Sequence, residues 1–307
     1  MRLEDSVLID SPTNVQENPS LAARDHDAIC EDYDQAFRNA RLILSVFKEL
    51  GTPVGKEHRI LDFGTGAGTM VYALRKLGYN AFGTDIVPPS PNVWKRLSHG
   101  RLCDSCKVPL TVIDTTLYRL PYEDDFFDFV VSVEVMEHVQ DHGTAFAEIR
   151  RVLKPGGKSF HSFPTRYRII EPHVSVPLAT IFQQAGYLYF WALIGFRHES
   201  DRGKSAAEVA RKNYVYLRDS TKYLTKRDLV SLLKGLFGNI SFVPHYVWKH
   251  SDGMGRTIYE GLSTVGMQKL VPLVARVLSP LRRWAIFFVK PEDRLDSQRF
   301  GDDSRNL

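Results

Sequence analysis

Three sets of side chains in this sequence are spaced as chemistry requires. Gly64, Gly66 and Gly68 fall in the run ILDFGTGAGTM (60–70), just after the acid Asp62 and a short apolar stretch. Glycine there permits positive φ and lets a ligand approach the backbone closely. N–H groups at the start of a following helix would face that ligand unsatisfied. In dinucleotide sites this place holds a pyrophosphate. Two features weigh against one here. A carboxylate such as Asp62 suits a cationic ligand better than a phosphate. The run GTGAGT also spaces its glycines by two throughout, unlike G-x-G-x-x-G. Asp85 lies about 20 residues further on, where an acid accepts hydrogen bonds from ribose hydroxyls. The second set is Glu134, Glu137 and His138, an E-x-x-E-H pattern in SVEVMEHV. On a helical turn, residues three or four apart share a face and could meet one ion. Two carboxylates and an imidazole suit Mg, Mn or Zn. Two other readings stay open: His138 as an acid–base group, and Glu137 with His138 as loop-ordering residues. The third set, Cys103 and Cys106 in CDSC with His99 ahead, is one C-x-x-C without the second pair of a zinc ribbon, and reads as surface thiols.

These groups need elements to position them, and the chain alternates strand with helix. RILDF reads as a strand and AGTMVYALRKLG as a helix closed by Gly78. NAFGTD is a second strand and PNVWKRLSHG a helix. PLTVID and FFDFVVSVEV are the third and fourth strands. HGTAFAEIRRVLKPGG is a helix ended by Pro155 and Gly156, and KSFHSFP is a fifth strand. Such alternation argues for a doubly wound α/β sheet. Ligands of these sheets sit outside the strands' carboxyl ends, where the strand order reverses. Upstream, Phe37, Leu42, Leu44, Phe47 and Leu50 mark a helix over 33–50. Residues 1–25 are polar and aperiodic and are expected as a mobile arm, with 26–307 as a single domain.

The alternation breaks over about 165–220, an aromatic-rich, proline-broken stretch of a size suited to a lid or substrate pocket. It resumes with TKRDLVSLLKGLFG, for which Thr225 is the N-cap, and a sixth strand is expected over 239–247. A helical insertion at about 249–283 precedes a last strand over 284–290.

Composition bounds the rest. The chain has 307 residues, 43% apolar and 25% charged, an ordinary globular balance for one large domain. A net charge of +4, with basic residues scattered, is too small to argue for nucleic acid. Three cysteines suit a reducing compartment. The first residues do not read as a signal peptide, and no run of about 18 apolar residues occurs. A cytoplasmic protein is therefore expected. Peripheral contact with a membrane is a further expectation. GYLYFWALIGF (186–196) is too short to span a bilayer, and MQKLVPLVARVLSPLRR (267–283) has the pattern of an interfacial helix.

With ILDFGTGAGTM, GTDI, LPYEDDFFDFVVSVEVMEHV and EIRRVLKPGGKSFHSFP in this order, the sequence resembles class I S-adenosylmethionine-dependent methyltransferases of the small-molecule group. The resemblance implies a Rossmann-like, seven-stranded sheet whose last strand is antiparallel. It implies that the loop of Gly64, Thr65, Gly66 and Gly68 holds the methionine part of S-adenosylmethionine, with Asp62 facing its amine. Asp85 would take the ribose and Ile86 the adenine ring. The Asp-Ala pair common before Leu-Pro is replaced by Thr116-Leu117, leaving adenine contact to the backbone of Leu117, or to Asp114 two residues earlier if the loop is bulged. Glu134 would line the cofactor. The E-x-x-E-H pattern is also that of ubiquinone-type O-methyltransferases, where it is associated with a divalent metal. His173, in EPHVSVP, lies in a segment that often covers substrate in such enzymes, making it a second candidate base beside His138.

The implied activity is methyl transfer to a hydroxyl of a small acceptor, of glycan, lipid-linked or secondary-metabolite type. A metal-assisted quinone or phenol O-methyltransferase is the alternative, and a non-catalytic cofactor-binding module is a third reading. A nucleic-acid substrate is not expected, since SVEVME stands where NPPY or DPPY would.

Overall fold

The structure, a computed structural model, describes residues 19–66, 68–86, 110–113 and 119–292, with backbone only for 19–33, Leu110 and Val112. The sheet comprises β1 (Arg59–Phe63), β2 (Asn80–Asp85), β3 (Leu110–Val112), β4 (Phe127–Val133), β5 (Leu153–Pro164), β6 (Ile240–Phe242) and β7 (Arg283–Val289). Their order is β3-β2-β1-β4-β5-β7-β6. The first five strands run parallel, and β7 runs antiparallel to both β5 and β6. The sheet is therefore mixed, a parallel α/β core with one antiparallel strand between β5 and β6. Strand order reverses at β1, so the carboxyl ends of β1 and β4 flank the crevice where such sheets bind ligands.

Successive strand residues point to opposite faces, and here both faces are covered. Ile60, Phe129 and Phe160 pack under α1 (Pro19–Glu49) and α2 (Thr69–Lys76). The ring of Phe47 meets Phe129 edge-on at 4.8 Å. Leu61, Val130 and Ile286 pack under α3 (His142–Val152) and a later helix, Lys226–Phe237. Between β5 and that helix stand α4 (Ala185–Leu193) and α5 (Ala206–Ser220). Leu188 of α4 and Leu217 of α5 are buried in one cluster with Val174 and Val176. The helix Lys226–Phe237 is α6, and Thr225 caps it, its side chain accepting from Asp228 N–H at 3.2 Å. After β6 come α7 (Pro244–His250), α8 (Met254–Thr264) and α9 (Val271–Leu278).

Several boundaries differ from the sequence expectation. The sixth strand is three residues long rather than reaching 247. Pro244 lacks an N–H for the ladder and has the φ of a first helical residue, so it opens α7. The helix expected to end at Pro155 ends at Val152, and β5 begins at once, with a register irregularity opposite Phe127 and Phe129. Helix α1 starts at Pro19, inside the stretch expected as an arm, while residues 1–18 lie outside the described residues. So do the helix expected over 91–100 and the residues His99, Cys103, Cys106, Asp114, Thr116 and Leu117.

Candidate active site

The glycine loop closes tightly on the tip of β2. Gly64, Gly66 and Gly68 all have positive φ, at 76°, 53° and 77°. The N–H groups of Gly64 and Thr65 donate to Thr84 O at 2.8 and 2.9 Å. Gly66 N–H donates to Asp85 Oδ2 at 2.6 Å, and Ile86 N–H donates to Asp85 Oδ1 at 2.7 Å. Asp85 thus ties the loop to β2 from the strand end where a ribose acceptor was expected. Ile86, 46% exposed, presents an apolar wall beside it. A side chain at Gly64 would run into the methyls of Val135, so this glycine serves packing as well as backbone geometry. Helix α2 starts directly after Gly68 with no side-chain cap, leaving its first N–H groups to a ligand.

Beneath the loop, Asp62 is buried in β1. Burial pushes its carboxyl up to about 7, and the charge of Asp85 adds to the shift. An ammonium group beside it would restore the ionised form, because an opposite charge favours it. The residues present therefore fit a ligand with a cationic amino-acid end.

Val135 links this loop to the second half of the site. Glu134, just past β4, has φ 56° and donates its N–H to Ser162 O at 2.8 Å. Its side chain pairs with Arg283 of β7. Met136–His138 then form a single 3-10 turn. Glu137 on that turn is 1% exposed, and neither carboxylate oxygen accepts a hydrogen bond from another residue among the described residues. Burial pushes its pKa up to about 8, with the charge of Glu134 adding. His138 directs Nδ1 at Ser220 O, 2.7 Å away. A carbonyl only accepts, so Nδ1 is the donor in this bond.

His173 arrives from the segment after β5. Its ring centroid is 4.8 Å from that of His138, at 71°. Its Nδ1 lies 2.7 Å from Glu171 Oε1. Glu171 is fully buried and also accepts from His173 N–H at 2.8 Å, Val174 N–H at 2.6 Å and Tyr223 OH at 2.7 Å. Burial opposes a charged His173, but the hydrogen bond and charge of Glu171 outweigh it, and the pKa stands above its ordinary value. The ring of Tyr216 lies 5.4 Å from His173.

The structure thus gathers Glu137, His138 and His173, each offering an atom within 4.8 Å of the others. The ligand set read from the sequence, Glu134 with Glu137 and His138, is not the set brought together. Glu134 turns to Arg283, and His173 takes its place. Sequence reading also passed over Glu171, Tyr223 and Arg283. Glu171 stands two residues before His173 and had a signal in the E-x-H spacing. Tyr223 and Arg283 reach the site only through the fold. His142, buried on α3, directs Nε2 at Met136 O at 2.8 Å, and burial holds its pKa down at about 4. It is a neutral brace for the 3-10 turn.

Residues 61–160 match the family model described as a methyltransferase domain. A ubiquinone biosynthesis O-methyltransferase of Cereibacter sphaeroides is 32% identical over 111 residues, 36% of this chain and 43% of that protein. Norajmaline N-methyltransferase of Rauvolfia serpentina is 32% identical over 105 residues, 34% of this chain and 35% of that protein. The chain thus spans less than half the length of these curated relatives. Among solved structures, a phosphoethanolamine N-methyltransferase 2 of Haemonchus contortus in complex with S-adenosyl-L-methionine has a TM-score of 0.44 and 19% identity. That alignment covers 81% of this chain and 52% of that one. Residues 61–160 are therefore similar to methyltransferase domains, the family that the sequence motifs resemble.

Proposed function

We propose that the chain transfers a methyl group from S-adenosylmethionine to a hydroxyl of a small acceptor, of glycan, lipid-linked or secondary-metabolite type. The observation that carries this reading is the His173–Glu171 pair, joined through His138 and the 3-10 turn to the glycine loop. Asp62, Gly64, Thr65, Gly66, Gly68, Asp85 and Ile86 would hold the cofactor, with Thr116, Leu117 and Glu134 as further candidate contacts. When bound, the cofactor supplies a methyl group already activated on a sulfonium. The chain's own work is to orient the acceptor and take its proton. Orientation alone can supply on the order of 7–11 kcal/mol. His173 holds Nδ1–H against the Glu171 carboxylate, which leaves Nε2 as the base for the acceptor hydroxyl. Glu171 stabilises the imidazolium that results, and Tyr223 holds Glu171 in place. His138 is the second candidate base, with Ser220 O fixing its tautomer.

A second reading, a metal-assisted O-methyltransferase, is favoured by Glu137. A buried carboxylate that no other described residue hydrogen-bonds, beside two imidazoles both tied at Nδ1, is a donor set suited to a divalent cation. Such an ion would lower the acceptor's pKa in place of a base.

The test is incubation of the purified protein with labelled S-adenosylmethionine and extracts from its own source. Labelled product is expected from the wild type and a loss of roughly 100-fold or more from His173→Ala. Product formed equally by that variant would remove His173 as the base. Turnover abolished by chelator and restored by added metal would select the second reading.

A further inference from the structure

We infer that this protein docks on an anionic phospholipid bilayer through an apolar belt formed by α4, α9 and the segment 166–182. Docking of this kind stands apart from the methyl-transfer chemistry. Both helices are apolar on more faces than the fold uses. In α4, Leu188 and Ala192 are buried, while Tyr189, Phe190, Leu193 and, just past its end, Ile194 are exposed, Leu193 by 62%. In α9, Val271 and Ala275 are buried, while Leu273 and Val277 are 61% and 64% exposed. Those two residues lie four apart and share one outward stripe. A helix apolar all round is ordinarily enclosed, and large exposed apolar patches mark interaction surfaces.

The two helices belong to one surface. Ile169 N–H donates to Leu281 O at 3.3 Å, just beyond α9. Leu178 N–H donates to Ile169 O at 2.7 Å, and Phe182 N–H to Leu178 O at 2.9 Å. The ring of Phe182 lies 5.4 Å from that of Tyr187 on α4. Leu281, Ile169, Leu178 and Phe182 are themselves exposed, so apolar side chains follow one another from one helix to the other.

Charge selects the occupant. Residues 172–198 and 261–290 contain no Asp or Glu, while Arg166, Arg168, Lys269, Arg276 and Arg282 stand in or beside the belt. Arg168, Arg282 and Arg283 also line a cavity of about 180 Å³ in which Asp252 is the one acid among the lining residues. Neither Arg168 nor Arg282 pairs with an acid among the described residues, whereas Arg283 holds Glu134. A second copy presenting the same face would set these like charges against each other. A bilayer with anionic headgroups meets both needs: phosphates for the guanidinium groups and an acyl boundary for the apolar side chains. No helix among the described residues is long and apolar enough to cross a membrane, so the contact is interfacial.

The experiment sediments the full chain with vesicles of phosphatidylcholine alone and of phosphatidylcholine with phosphatidylglycerol. Circular dichroism checks folding, and calorimetry with S-adenosylhomocysteine follows the cofactor site separately. Binding is expected to the anionic vesicles, weakening with salt. Arg168→Ala and Arg282→Ala are each expected to weaken it roughly 5-fold. The double variant Leu273→Glu with Val277→Glu is expected to abolish it while leaving the fold and S-adenosylhomocysteine affinity intact. Absence of wild-type binding, equal binding to neutral vesicles, or full binding by the double glutamate variant would overturn the inference. A dimer in ultracentrifugation that the same glutamates dissociate would overturn it in favour of a second copy.

Discussion

His173 and Glu137 both stand above their ordinary pKa, which favours a charged imidazole in one and a neutral carboxyl in the other, and each makes a prediction at the scale of one side chain. His173 is held above its ordinary pKa by Glu171, and as a base it must be neutral. The rate should therefore climb with pH through a limb above about 6.5. In Glu171→Gln that limb should move to lower pH, and the plateau should fall because the base is weaker. A pH–rate profile checks this, and an unmoved limb would separate Glu171 from the chemistry. Glu137 has its pKa raised to about 8, so the folded state favours its protonated form. Its stabilising contribution is complete below the ordinary carboxyl pKa and is lost as pH climbs toward 8. Glu137→Gln should then raise Tm at pH 8 and change it little at pH 4, by about 2–4 °C for each kcal/mol regained. If a divalent ion uses this site, added ion should raise the wild-type Tm and leave Glu137→Gln unmoved. Asp85 and Gly66 could be named as candidates from local spacing, and His173 only through the resemblance of its segment to those that cover substrate in similar enzymes. The Tyr223–Glu171 bond, and the pairing of Glu134 with Arg283, join residues far apart in the chain, and no local pattern records them.

At the scale of elements, the contact between the glycine loop and the turn after β4 is the joint on which the site depends. Gly64→Ala would meet Val135 and also force a side chain into positive φ. The strain alone costs about 1–3 kcal/mol. Denaturant titration should give a loss at least that large, partly recovered by adding Val135→Ala. No recovery would mean that φ, not packing, dominates. Thr225→Ala should cost about 1 kcal/mol through the lost cap of α6. The caps and the strand–helix alternation were readable because turn residues and periodicity are local. Boundaries were less so. The residue whose chemistry ended β6, Pro244, was present in the expected strand, but the apolar run around it outweighed it. The early end of α3 has no such marker, since tertiary pairing of β5 with β4 takes over at Leu153.

For the whole molecule, the sheet order brings the glycine loop and the 3-10 turn together at the carboxyl ends of the adjacent central strands β1 and β4, and the ring contact of His138 with His173 ties the segment after β5 to them. The α/β class and the proposal for the cofactor half of the site followed from the sequence, because the motifs occur in the order that such a sheet demands. The acceptor half did not. It is assembled from segments without periodic pattern, and its residues gain meaning only from what the fold sets against them. The central claim is that the glycine loop and Asp85 hold S-adenosylmethionine. Titration calorimetry with S-adenosylhomocysteine tests it most directly. The account predicts saturable binding by the wild type, weakened in both Gly66→Val and Asp85→Ala. Absence of binding by the folded wild-type chain would contradict it.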